Sequence, residues 1–212
     1  QVKIISKKCK NLIIDNSQAF YSKPLPGIDT FYSVRKFFGV PDGAYLFTDK
    51  NLKGDFEQDF SYKRCEHLLG RLDVSAEKFY KSFKKDESLL NNQPIKLMSK
   101  LTQHLLASID YNEIAKKRKD NFIYLHSVLK EYNKLNIKLD LKKEAVPMIY
   151  PFLIDNGQEL KKKLIENKIF VATYWPNVFE WVDKKQLEYL FARDIVYLPI
   201  DQRYDRVRLK NI

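Results

Sequence analysis

The chain has 212 residues, 44% of them hydrophobic and 14% aromatic, which suffices for one large domain or two small ones with real cores and excludes a disordered chain. No apolar run approaches the roughly 20 residues that cross a bilayer, which excludes a membrane-spanning helix. The net charge of +11 raises nucleic-acid binding, but the basic runs (Lys7-Lys8, Lys84-Lys85, Lys116-Lys117-Arg118-Lys119, Lys142-Lys143 and Lys161-Lys162-Lys163) come without any helix-turn-helix, zinc-finger or RNP-type pattern, and read as solvated helix faces and turns.

In chain order, Asn11-Leu12-Ile13-Ile14 predicts a short strand buried on both faces, ending where Asp15-Asn16-Ser17 turns polar. Pro24-Leu25-Pro26-Gly27 breaks the chain. Two further strands are expected, from Asp29 to Val34 and from Ala44 to Thr48, separated by the turn Gly39-Val40-Pro41-Asp42-Gly43. From about Tyr62 to Leu135 the apolar spacing is helical, with Leu97, Leu101, Leu105 and Ile109 forming one stripe and Phe122, Leu125 and Leu129 another. Asp110 and Glu113 have the cap-and-third-position spacing of a helix start, and that helix leads into a separate small domain. There Met148 to Ile154, Ile169 to Thr173 and Ile195 to Pro199 read as strands, with helices over Gly157 to Asn167 and Lys184 to Ala192. The expected domains are 1–110 and 111–212.

The start, Gln1-Val2-Lys3-Ile4-Ile5, has neither an initiator Met nor a signal-peptide layout, as expected of a fragment or a processed product. Cys9 and Cys65 lie far apart with no metal-ligand neighbours, so neither a disulfide framework nor a metal site is expected, and a reducing cytoplasm suits them. His67, His104 and His126 lack ligand spacing and read as ordinary residues. Tyr174-Trp175 and Trp181 read as core or rim packing.

Three features in the first 45 residues bear on chemistry. Asp15 stands at the carboxyl end of a strand, where open α/β sheets bind ligands. Ser33-Val34-Arg35-Lys36 places a serine three residues before a lysine, although Ser82-Phe83-Lys84-Lys85 shows that the spacing alone recurs. The turn from Phe37 to Ala44 carries glycines that let backbone pass close to a bound group. Pyridoxal-phosphate (PLP) chemistry uses these parts: an amine for the cofactor aldehyde and the proton at the substrate α-carbon, a carboxylate for the pyridine nitrogen, and hydroxyls for the phosphate.

Asp15-Asn16-Ser17-Gln18-Ala19-Phe20 resembles the Asp-x-x-Gln/His-Ala segment of the DegT/DnrJ/EryC1/StrS sugar aminotransferases, within the fold-type-I PLP enzymes. Phe31 to Lys36 followed by Gly39-Val40-Pro41-Asp42-Gly43 is similar to their Schiff-base lysine segment, and Tyr174-Trp175-Pro176 with Leu198 to Tyr204 is similar to their small domain. The resemblance implies that Asp15 pairs with the pyridine nitrogen, Gln18 contacts the ring or its phenolic oxygen, Ser33 binds phosphate and Lys36 forms the Schiff base. Arg203 would face the substrate. Arg118 and Asn121 match an Arg-x-x-Asn pattern on one helix face, with a packing role expected. Two departures stand out: the serine lies closer to the lysine than in the family's Ser-Phe-His-x-x-Lys, and Val-Pro-Asp-Gly replaces its acidic glycine-rich turn. The family's glycine-rich phosphate loop and stacking aromatic belong to an N-terminal half, expected to precede Gln1.

The expected fold class is therefore α/β: the C-terminal half of a fold-type-I PLP-dependent transferase, with part of the large-domain sheet and a smaller α+β C-terminal lobe. The implied activity moves an amino group from an amino acid to a keto substrate, with a nucleotide-linked keto sugar among the acceptors, in a homodimer without specific nucleic-acid or membrane partners. The rival reading is a non-catalytic binding or interaction protein that retains this fold.

Overall fold

The structure, a computed structural model, describes residues 2–138 and 145–210, so the Lys142-Lys143 run lies outside the described residues. The chain divides into two compact units, Gln1–Asp110 and Tyr111–Ile212.

After a short helix α1 (Val2–Ile5), the first unit is built on a sheet of β1 (Ile13–Asp15), β2 (Asp29–Ser33) and β3 (Ala44–Phe47), in that spatial order. β1 runs parallel to β2, and β3 runs antiparallel to it. Period-two alternation on β2 buries Thr30 and Tyr32 and leaves Phe31 exposed, so the sheet has one covered face and one open face. A 3-10 turn over Val34–Lys36 ends β2 one residue before the expected boundary. Helices α2 (Glu66–Asp73), α3 (Tyr80–Ser88) and α4 (Lys100–Ala107) follow. Gln58 bridges to Leu97 just ahead of α4, with Asp59 N–H donating to the Leu97 carbonyl at 3.0 Å.

Two expectations are corrected in this unit. The buried strand at Asn11–Ile14 is instead β1 at Ile13–Asp15, and Ile13 is 65% exposed because β1 is the outer strand, paired to β2 along one edge only. Leu97, expected in the helical stretch, instead lies ahead of α4 in the bridge to Gln58, and on α4 itself Leu101 and Leu105 are exposed whereas Thr102 and Leu106 are buried. Hydroxyl bonding at the α4 N-terminus, described below, turns Thr102 inward and leaves Leu101 and Leu105 on the outer side of the helix.

The second unit opens with α5 (Tyr111–Leu129), then β4 (Ile149–Leu153), α6 (Gly157–Glu166), α7 (Val178–Trp181), α8 (Leu187–Asp194), β5 (Ile195–Pro199) and α9 (Arg206–Leu209). β4 and β5 pair antiparallel, setting Tyr150 opposite Leu198 and Phe152 opposite Val196. Those four side chains pack with Phe122 and Leu125 of α5 as the core. On the same helix Arg118 Nη1 donates to the Met148 carbonyl at 3.1 Å, and Asn121 Nδ2 donates to the carbonyls of Ile200, Asp201 and Tyr204. The Arg118–Asn121 pair thus ties both strands of the sheet to α5, a packing role.

Here too the structure corrects the reading. The expected strand at Ile169–Thr173 does not form: Lys168 adopts φ +63°, and the Ile169 N–H closes the end of α6 on the Leu164 carbonyl at 2.8 Å, so that backbone is engaged as a helix C-cap. Lys161 is not on a solvated face. It is buried, and its Nζ donates to the Ala192 and Arg193 carbonyls at 3.0 and 2.9 Å, satisfying the last turn of α8. Tyr174 packs edge-on against Tyr197 at 4.6 Å, while Trp175 and Trp181 are exposed rim residues.

Candidate functional site

The parallel pairing of β1 and β2 sets Asp15 beside Phe31. Residues paired in parallel register project to the same side of the sheet, as do residues two apart on one strand. Asp15, Phe31 and Ser33 therefore share the open face, with Ser33 about 7 Å beyond Phe31 along the strand. Both strands end here, so the carboxylate and the hydroxyl share one face near the carboxyl end of a parallel pair, the end at which open α/β sheets bind ligands. The 3-10 turn begins at Val34 and ends on Lys36, which is exposed. Ser33 makes no side-chain cap bond to that turn, and its hydroxyl is left for other partners.

The loop after β1 is held to the segment after Lys36 by aromatic packing. One oxygen of Asp15 accepts the Ser17 N–H at 2.8 Å, and the Ala19 N–H donates to the Asn16 carbonyl at 2.9 Å, closing a turn in which Gln18 sits three residues past Asp15. Phe20 then meets Phe38 edge-on at 4.9 Å and Phe37 at 5.8 Å, the two residues that follow Lys36. Phe20 also contacts Tyr32, whose hydroxyl donates to the Ser22 carbonyl at 2.7 Å. Asp15, Gln18, Ser33 and Lys36 thus lie on one small scaffold. The Phe20, Tyr32, Phe37 and Phe38 cluster was not among the sequence-derived site residues, though aromatics flanking both motifs are its signal.

Asp42, in the turn after Lys36, was likewise missed. It is 5% exposed and accepts the Ser99 N–H at 2.9 Å, the Ser99 hydroxyl at 2.8 Å and the Thr102 hydroxyl. Further along the unit, His67 Nδ1 lies 2.7 Å from buried Asp86, a packing pair between α2 and α3. Burial, with the charges of Asp86 and Asp42, pushes the neighbouring Cys65 thiol up against the pull of Arg64, which suits an inert thiol rather than a nucleophile. Among the described residues no group of His, Cys, Asp and Glu side chains could hold a metal ion.

Arg203 lies in the second unit, in the turn after β5. Its Nε and Nη2 donate to the two oxygens of Asp201 at 2.7 and 2.8 Å. Burial alone would raise the Asp201 carboxyl, but the Arg203 hydrogen bonds and charge, with the charge of Arg118, outweigh it and hold it below the usual range. The Nη1 edge of Arg203 takes no part in that pair.

No family model and no curated protein matches the sequence. Solved structures do match the fold. A DegT DnrJ EryC1 StrS aminotransferase from Brucella abortus aligns over 99% of this chain and 57% of its own, at 13% identity and a TM-score of 0.54. A protein from Streptococcus pneumoniae described as a sugar aminotransferase, in its PMP form, aligns over 94% of this chain and 54% of its own, at 15% identity and a TM-score of 0.55. A protein from Bacillus cereus described as a PLP-dependent aminotransferase aligns over 99% of this chain and 59% of its own, at 12% identity and a TM-score of 0.50. The chain spans little more than half the length of these proteins. Its fold is accordingly part of the fold of the DegT/DnrJ/EryC1/StrS type of aminotransferase, over a span that fits their C-terminal half.

Proposed function

We propose that the chain carries the lysine-bearing part of a PLP-dependent aminotransferase site, for transfer of an amino group from an amino acid to a keto compound, with nucleotide-linked keto sugars as the acceptor class. The observation that carries this reading is the β1–β2 register, which gathers a carboxylate, a hydroxyl and a lysine-bearing turn at the carboxyl end of one parallel pair. That donor set fits the cofactor, whose aldehyde takes up an amine and whose protonated ring withdraws electrons from the substrate carbon. Lys36 supplies the amine and moves the proton at the substrate α-carbon. The free oxygen of Asp15 would hold the proton on the pyridine nitrogen, and Gln18 would contact the ring or its phenolic oxygen. Ser33 donates to the phosphate. Arg203 is the residue assigned to an anionic group of the substrate through its Nη1 edge. The reading includes a homodimer in the cytoplasm, which sedimentation of the full protein tests separately.

Borohydride reduction after PLP addition tests the core of the proposal. The expected result is a visible absorption band before reduction and a reduced adduct mapped to Lys36, both lost in Lys36→Ala. A chain with no band and no adduct at Lys36 returns the protein to the rival reading, a binding protein built on the same fold. That rival draws its support from the exposed position of Lys36 and from the Asp201 carboxylate already seated on Arg203.

A further inference from the structure

We propose that Asp42 is a positioning residue for Lys36: its buried carboxylate, gripped at the start of α4, sets the backbone turn that presents the lysine. The inference rests on the reading of Lys36 as the cofactor lysine. The contacts form a continuous path between α4 and that lysine. At one end, Asp42 receives the backbone N–H and hydroxyl of Ser99, the N-cap of α4, together with the Thr102 hydroxyl one turn in. The Ser61 hydroxyl lies 2.6 Å from that of Ser99 and extends the buried network. A carboxylate ahead of a helix N-terminus, fully hydrogen-bonded, is stabilised by the aligned peptide dipoles. It fixes the turn to a rigid element.

Gly43 continues the path. Its carbonyl accepts the Val34 N–H at 3.4 Å, and its φ of +109° brings it so close that an added Cβ would meet Val34 Cγ2 at 2.9 Å. Val34 is wholly buried and opens the 3-10 turn that ends on Lys36. The Val34 carbonyl in turn accepts the N–H groups of Phe37 and Phe38 at 3.1 and 3.0 Å. Charge reinforces the link at Arg35, between Val34 and Lys36. Burial disfavours its guanidinium charge, Arg64 adds to that cost, and the Glu87, Asp42 and Asp86 carboxylates offset it. A neutral side chain at position 42 removes one of those anions and leaves the α4 donors mispaired. The Val-Pro-Asp-Gly turn thus keeps one acidic residue, turned inward toward α4.

Asp42→Asn preserves shape and removes the charge. In the full chain it is expected to keep the wild-type helical circular dichroism while the Phe37 and Phe38 amides exchange with solvent roughly tenfold faster, the equivalent of one charge-assisted hydrogen bond. Reductive trapping of PLP, read by mass spectrometry, should show a several-fold smaller share of label at Lys36 relative to the other lysines. If Asp42→Asn does not fold, Thr102→Val, which removes a single donor to the same carboxylate, should move both readouts in the same direction by less. A wild-type share of label at Lys36 in the folded variant overturns the positioning role, whether or not the amides exchange faster. Unlabelled Lys36 in the wild-type chain is a different result: it overturns the cofactor reading itself, and the positioning role with it.

Discussion

Asp15 and Phe31 are register partners across the parallel β1–β2 pair, and the carboxylate of the first leaves the sheet on the same face as Ser33, the next outward residue of β2. Because Asp15 is exposed, its substitution separates chemistry from folding. Asp15→Asn keeps an oxygen for the Ser17 N–H and should leave unfolding free energy within about 0.5 kcal/mol of wild type. On the proposed function, aminotransfer by the complete protein should fall by roughly a hundredfold, the scale of losing one preorganised electrostatic partner. Chemical denaturation and steady-state kinetics check the two halves; unchanged turnover would leave Asp15 as a turn residue.

Phe20 is the link between the Asp15 loop and the residues after Lys36, touching Tyr21, Tyr32, Phe37, Phe38 and Tyr45. Phe20→Ala should cost about 2–3 kcal/mol, below a fully buried phenylalanine because Phe20 is only partly covered. Urea unfolding monitored on the first unit gives the number. Phe20→Leu should recover most of it, since volume matters more here than ring geometry.

In the second unit α6 lies directly on the end of α8. A Cβ on Gly157 would fall 1.9 Å from the Asp194 carbonyl oxygen, and backbone cannot yield as a flexible side chain does. Gly157→Ala should therefore destabilise by more than about 3 kcal/mol. Lys161→Met keeps the apolar stem but strands the Ala192 and Arg193 carbonyls, for an expected loss of about 1–3 kcal/mol. Thermal melts of both variants test the contact. Equal stability of Lys162→Met, on the exposed side of α6, is the matching control.

Acid should loosen the turn after β5. Burial pushes the Asp201 carboxyl up, but the Arg203 hydrogen bonds and charge, with the charge of Arg118, outweigh it and hold the group below its ordinary range in the folded chain. A carboxylate with a depressed folded-state pKa contributes stability that is complete above the unfolded value and is lost as pH falls through the folded one. The contribution should thus be constant above about pH 4 and disappear below it. Asp201→Asn should flatten that part of the stability–pH curve, and wild-type acid sensitivity in the variant would assign the loss to another carboxylate.

Much of the local structure was legible in the sequence because its signals are local. Alternation marks β2, β3, β4 and β5 to within a residue or so, and the three-and-four spacing marks α5. Asp15, Ser33 and Lys36 could be singled out as residues at strand ends, and the motifs around them pointed to the fold that the solved structures share. Signals of that range carry no information about partners distant in the chain. The run Lys161-Lys162-Lys163 looks uniform as sequence, yet the α8 carbonyls single out Lys161 for burial. Leu101 and Leu105 have helical spacing, yet Asp42 holds Thr102 inward and these two leucines face solvent.

By itself, then, the sequence determined which segments alternate, which turn, and which residue types with suitable chemistry stand at the strand ends. Tertiary structure alone decided that β1 pairs parallel with β2, bringing Asp15 and Ser33 to one face, and that the Asp42 carboxylate is buried against the start of α4. The physical reason is range. Backbone preference and periodicity act between neighbours, whereas register, burial and charge compensation are fixed by whichever distant groups fill the remaining hydrogen bonds and exclude water.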